Sequence, residues 1–94
     1  MPGAHRHTDK RICNATTVVQ NQGSVYVNDL LWAVNGDPNT DGNGNLIATG
    51  STVWVEDKLV IVNTPDNAAP DELCPIPPHC NPKTNAESPD TYAY

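Results

Sequence analysis

The sequence has no phenylalanine, one methionine and only five basic residues, and it has no apolar run long enough to span a bilayer. Without Phe, and with two Trp and three Tyr as the only aromatics, the core must come from Val, Leu, Ile and Ala, concentrated between Val18 and Val62. At 94 residues such a core is small, and chains of this size usually draw extra stability from a disulfide, a metal or a partner. Eleven acids against five bases leave a net charge of −6. That balance disfavours phosphate backbones and anionic membrane surfaces, both of which reward clustered Lys and Arg. Met1-Pro2-Gly3-Ala4-His5-Arg6-His7 has no apolar stretch after its basic residues, so no secretory signal is expected and synthesis in the cytoplasm is. Asn14-Ala15-Thr16 matches a glycosylation acceptor but reads, without export, as a turn before a strand.

Catalytic patterns are also missing. Asp and Glu stand singly, neither Ser24 nor Ser51 lies in a nucleophile-elbow frame, and Gly42-Asn43-Gly44 lacks the lysine of a phosphate loop. A hydrolytic metal site would need an open ligand position and a base such as Glu72. The expectation is a protein that is not an enzyme.

What is present is a repeat. Val25-Tyr26-Val27-Asn28-Asp29 with Leu31, Val34 and Asn35 recurs, 28 residues on, as Val53-Trp54-Val55-Glu56-Asp57 with Leu59, Val62 and Asn63. Self-similarity of this kind points to one supersecondary unit packed against its own copy. Short β-branched runs bounded by Gly, Asn and Pro favour period two over period 3.6 throughout, so the chain reads as all-β. Hairpins are expected around Asn28-Asp29 and around Glu56-Asp57-Lys58, with Asn35 to Asn45 as a loop and a turn at Gly50-Ser51. From Asn63 onward seven prolines bar central ladder positions. One domain over 1–94 is expected, with clear units at about 16–37 and 44–65 and a degenerate Pro-rich third at 66–94.

The soft metal ligands lie only near the chain ends, as His5, His7 and Cys13 before the core and Cys74, His79 and Cys80 after it. An odd cysteine count in a reducing compartment favours metal ligation over a structural disulfide. Thiolate and imidazole in a closed tetrahedron suit structural zinc, and iron is the other candidate. The expected set is His7, Cys13, Cys74 and His79, with Cys80 and then His5 as substitutes. Two alternatives stay open: a polar, unliganded N-terminus for the histidines, and a Cys74–Cys80 disulfide or inert thiols for the knuckle Pro75-Ile76-Pro77-Pro78-His79. Structural zinc can supply roughly 10 kcal/mol or more of folding free energy in small peptides, which would stiffen a Pro-rich, poorly cored end.

Val27-Asn28-Asp29-Leu30-Leu31-Trp32-Ala33-Val34-Asn35-Gly36-Asp37 resembles the unit of PAAR-repeat proteins, which runs roughly Val-Asn-Gly-Lys-Pro-Ala-Ala-Arg-Val-Gly-Asp. Val27, Asn28, Ala33, Gly36 and Asp37 match, and Leu46 to Val55 resembles the family's Val-Ile-x-x-Gly-Ser-x-Val-Phe-Val strand entry. Leu31-Trp32-Ala33-Val34 and Leu59-Val60-Ile61-Val62 replace the tetrapeptide that names the family. The resemblance, over roughly residues 8 to 85, implies a small cone of three β-hairpin units around a pseudo-threefold axis, with a metal near the apex held by histidines and cysteine. It implies a base docked on a trimeric β-helical spike, one copy per trimer, at the tip of a contractile phage tail, where the protein helps pierce the host envelope. Hairpins with apolar residues on both faces also point to a partner, because so short a chain cannot bury them all. The expected contact set is Val25, Val27, Leu31 and Trp32 in the first copy and Val53, Val55, Leu59 and Val60 in the second. A second reading is a small zinc-stabilised adaptor that offers hairpin edges to a partner or cargo protein.

Overall fold

A computed structural model describes residues 3–49, 53–63 and 65–93; the turn read at Gly50-Ser51 lies outside them. Among the described residues there is no helix, and the regular structure is six two-residue strands: β1 (Tyr26–Val27), β2 (Leu30–Leu31), β3 (Leu46–Ile47), β4 (Trp54–Val55), β5 (Lys58–Leu59) and β6 (Asn67–Ala68). β1 pairs with β2, β4 with β5 and β3 with β6, all antiparallel. The expected all-β class is therefore what the chain adopts.

Both expected hairpins form, and for the same reason. Asn28 and Asp29 (φ 52° and 66°) and Glu56 and Asp57 (φ 50° and 67°) place two consecutive residues in the left-handed region. That is the turn whose twist matches a two-residue hairpin. The register Tyr26↔Leu31 and Trp54↔Leu59 repeats the 28-residue offset.

Beyond the hairpins, three segments close on one another. Isolated antiparallel bridges join Arg6 to Trp32, Val34 to Val60 and Val62 to Ala4. The His5 N–H donates to Ile61 O (3.1 Å), the Ile61 N–H to Ala33 O (2.9 Å) and the Ala33 N–H to His5 O (2.9 Å). A second ring runs from His7 N–H to Leu31 O (2.7 Å), Asn35 N–H to Leu59 O (2.8 Å) and Asn63 N–H to Gly3 O (2.9 Å). Segments 3–9, 31–37 and 59–66 thus each bond both others, and no ladder edge is left open between them.

The same register extends outward. The Trp32 N–H donates to Val25 O, the Val60 N–H to Val53 O and the Ala4 N–H to Thr91 O, so residues 91–93 stand beside 3–4 as 25–27 stand beside 31–32. Each segment ends in an aspartate that receives a backbone N–H from a few residues earlier: Arg6 to Asp9 Oδ2 (2.9 Å), Val34 to Asp37 Oδ2 (2.8 Å) and Val62 to Asp66 Oδ2 (2.9 Å). These carboxylates turn the chain into three loops, 10–16, 38–45 and 67–83. The loops are laced together by Ile12 N–H to Lys83 O, Thr40 N–H to Thr16 O and Ala69 N–H to Asn45 O.

Two apolar clusters fill the interior. One holds Ala4, Val27, Trp32, Val34, Val55, Val60, Val62 and Ala93, with Val25 and Val53 against it; the other holds Val19, Ala33, Leu46, Ile61 and Ala68. Of the eight residues expected to contact a partner, Val27, Trp32, Val55 and Val60 are core, Val25, Val53, Leu31 and Leu59 are half-buried, and none is fully exposed. Strand alternation is the cause: with Val27 and Val55 inward, their neighbours point outward. The outward side chains are Tyr26 (61% exposed), Trp54 (62%) and, beside the N-terminal segment, Tyr92 (45%).

Candidate metal centre

The three loops converge on four potential ligands. Cys13 comes from loop 10–16, Asp41 from loop 38–45, and Asp71 and His79 from loop 67–83; one donor atom of each lies within 4.8 Å of all the others. His79 Nδ1 is 3.0 Å from Asp71 Oδ2 and 3.4 Å from Asp41 Oδ2. Cys13 Sγ donates to Asp71 Oδ2 across 3.9 Å. Adjacent ligand atoms of a tetrahedral zinc site stand about 3.3 to 3.8 Å apart, so small inward shifts would bring one S, one N and two O donors to a common ion. The donor set fits a borderline divalent cation.

Asp71 anchors the group. Its carboxylate is buried and also receives Asn39 Nδ2–H (3.1 Å) and the Leu73 N–H (2.9 Å). Burial pushes its pKa up, but hydrogen bonds from His79, the Leu73 N–H and Asn39 outweigh it, and the carboxyl titrates below its ordinary value. These outer partners aim one oxygen into the cluster, as second-sphere bonds do in metal sites.

Behind the ligands lies Arg11, with no exposed surface. Its guanidinium donates to Thr17 Oγ1 (2.6 Å), Gly44 O (2.8 Å), Pro82 O (2.9 Å) and Asp37 O (3.2 Å). One side chain therefore pins all three loops. Burial lowers its pKa to about 10, against the opposing pull of Cys13, Asp37 and Asp71, so it stays charged at neutral pH beside two carboxylates.

Cys13 and His79 of the expected ligand set meet here, while His7, Cys74 and the substitutes do not. His7 is half-buried, with Nδ1 accepting the Val19 N–H at 3.0 Å. His5 is fully buried between Thr17 Oγ1 (2.6 Å from Nε2) and Ala86 O (2.8 Å from Nδ1), so both ring nitrogens are engaged in the interior. Cys74 and Cys80 form a disulfide, which removes both as thiolate ligands in this state. Asp41 and Asp71 went unread because carboxylates are abundant in an acidic chain. The repeat carried a signal for one of them, since Asp41 stands 28 residues after Cys13. No protein-family model, curated protein or solved structure matches the chain.

Proposed function

We propose that this chain is the tip of a contractile-tail spike, a PAAR-like cap that sits as one copy on a trimeric β-helical spike and sharpens it for passage through a cell envelope. The observation that carries the reading is the closed ring of segments 3–9, 31–37 and 59–66. Such a ring supports a pseudo-threefold axis within a single chain, which lets an asymmetric cap match a trimer without itself trimerising. The extents of 32 × 23 × 22 Å, one long and two nearly equal, suit a body elongated along that axis. In the ring register Gly3-Ala4-His5-Arg6 stands where the family has Pro-Ala-Ala-Arg and Asp9 where it has the closing Asp. Ala4, Arg6 and Asp9 match the family there, and Arg6 is ion-paired to Asp9 at 2.8 Å.

Tyr26, Trp54 and Tyr92 occupy corresponding positions and are the best contact residues for three like surfaces of a trimer. At the converging loops, Cys13, Asp41, Asp71 and His79 would hold one zinc ion, with iron as the other candidate. A bound ion supplies a crosslink among the three loops, a structural rather than catalytic service.

Native mass spectrometry of the chain mixed with its trimeric spike should give one copy per trimer, and Trp54→Asp should abolish docking while leaving the monomer folded. Three copies per trimer, or a stable homotrimer of this chain alone, would overturn the reading. Elemental analysis of chelator-free protein should find one equivalent of metal, and Asp71→Asn should lose it.

A further inference from the structure

We infer that the Cys74–Cys80 disulfide is what delivers His79 to the ligand cluster, so that the metal affinity of this chain depends on its thiol–disulfide state. The inference rests on the metal-centre reading above and concerns its control.

The disulfide closes a loop at a sequence separation of 6, and His79 is the residue immediately before its second sulfur. Pro75, Ile76, Pro77 and Pro78 are all exposed, so no core packing fixes their positions. The remaining backbone ties are turn hydrogen bonds among largely exposed residues, Cys74 N–H to Asp71 O (3.2 Å), Ile76 N–H to Leu73 O (3.0 Å), His79 N–H to Ile76 O (2.8 Å) and Asn81 N–H to Pro78 O (3.2 Å), and one bond from the buried Asp71 N–H to His79 O (2.9 Å). The turn bonds open at low free-energy cost, and a single bond to the His79 carbonyl leaves the direction of its ring free. The covalent link is therefore what keeps His79 Nδ1 within 3.4 Å of both carboxylates. By contrast Asp71 is buried, and Cys13 and Asp41 sit on the two short loops laced to it and to each other. Opening the disulfide should release one ligand of four and spare three.

The switching chemistry is ordinary exchange with a dithiol. A thiolate of the reductant attacks Sγ of Cys80, the more exposed of the two cysteines, and Cys74 leaves as a thiolate that takes up a proton. The second thiol of the reductant then displaces Cys80 as the reductant closes to its own cyclic disulfide, so that two electrons and two protons pass to the protein. Of the sulfurs, Cys13 supplies the one in the ligand cluster. A chain kept reduced in the cytoplasm would then hold metal weakly, and oxidising surroundings would tighten the site.

The test is a zinc(II) titration against a fluorescent chelator. It compares the oxidised chain, the chain reduced with dithiothreitol and freed of it under argon, and the double variant Cys74→Ser/Cys80→Ser. Affinity should fall about ten- to a hundredfold on reduction and equally in the double variant, the range typical of losing a positioning contact at a metal site. His79→Ala should bind with the same weakened affinity in both states. Equal affinity of oxidised and reduced wild type would overturn the inference. So would tighter binding by the reduced wild type but not by the serine variant, which would make the freed thiols ligands. A metal-free readout separates this claim from the metal reading: NMR cross-peaks between the His79 imidazole and Asp71 should be present in the oxidised chain and lost on reduction. If the oxidised chain takes up no zinc, the metal centre fails and those cross-peaks alone decide the positioning role; cross-peaks that persist after reduction overturn it.

Discussion

The strand region and the loop region are held together by opposite chemistry. Around the strands the interior is filled by apolar groups: Ala4, Trp32, Val60, Val27, Val55 and Ala93, all buried. Around the loops the buried groups are mostly polar, with Asp9, Asp37 and Asp66 closing the three segments and Arg11 and Asn39 beyond them. Among the described residues no buried side-chain N or O atom lacks a hydrogen-bond partner. Apolar packing needs only volume and exclusion of water, whereas a polar interior is stable only when every group is matched. The strand region should therefore tolerate conservative change, and the loop region should fail at single atoms.

The sharpest break of that contrast is Arg11→Met. Methionine fills much of the volume but strands the carbonyls of Gly44 and Pro82 and takes one partner from Thr17 Oγ1 and from the Asp37 carbonyl, which keep His5 and the Leu46 N–H. Urea denaturation should record a loss of about 4 kcal/mol, as for uncompensated burial of polar groups. A loss below about 1 kcal/mol would mean that the loops are not pinned by this side chain.

On the strand side, Ile61→Ala removes a fully buried side chain and should cost about 3 kcal/mol with the loops intact. Ile61→Val should cost about 1 kcal/mol. If the conservative change proved as damaging as the truncation, the tolerance assigned to this region would be wrong.

His5 joins the two regions and makes the contrast depend on pH. Burial pushes its pKa from 6.5 down to about 4, against the pull of the Ala86 carbonyl and Asp9. The unfolded chain thus takes up a proton more readily than the folded one. The stability contributed by neutral His5 is fully present above about pH 6.5 and is lost as pH falls toward 4, by roughly 2 kcal/mol at pH 4.5. Asp71, with its lowered pKa, loses its contribution only below the ordinary carboxylate range. Thermal melts should therefore decline between pH 6.5 and 4.5, and His5→Gln should flatten that limb; an unchanged slope in the variant would remove His5 as the cause.

A gain is expected at Thr8. This β-branched residue has φ 71°, where the corresponding Gly36 has φ 96°. Thr8→Gly should raise stability by about 1 kcal/mol, because the left-handed conformation costs a Cβ-bearing residue and not glycine. A loss on this substitution would show that the Thr8 side chain contributes more than the strain it imposes. The smallest effect belongs to the surface: Tyr26→Ser and Trp54→Ser should change stability by no more than about 0.5 kcal/mol. A larger loss would show that these exposed aromatics contribute to the fold.

Both hairpins were legible because alternation and turn preference act over a few residues and the pattern recurs 28 residues later. The third participant was sought in 66–94. The segment that bonds both 31–37 and 59–63 is 3–9, and 91–93 lies beside 3–4. Contacts between the two chain ends have no contiguous signature to read. Cys13 and His79 were legible as candidate ligands by element type alone. Asp41 and Asp71 were not, since only proximity to Cys13 and His79 separates them from the other acids of an acidic chain.

The sequence by itself determined the period-two strands, the hairpin turns around Asn28-Asp29 and Glu56-Asp57-Lys58, the Pro-rich final third and the scarcity of core. Only the tertiary structure decided that Val27 and Val55 point inward and Tyr26 and Trp54 outward, that His5 is interior, and that three loops bring one sulfur, one nitrogen and two carboxylates together. Backbone preference is a local energy, set by each residue and its neighbours. Ring closure is not local: which face is buried, and which side chains meet, follows from joining segments far apart in sequence, whose pairing pays off only when all three are in place.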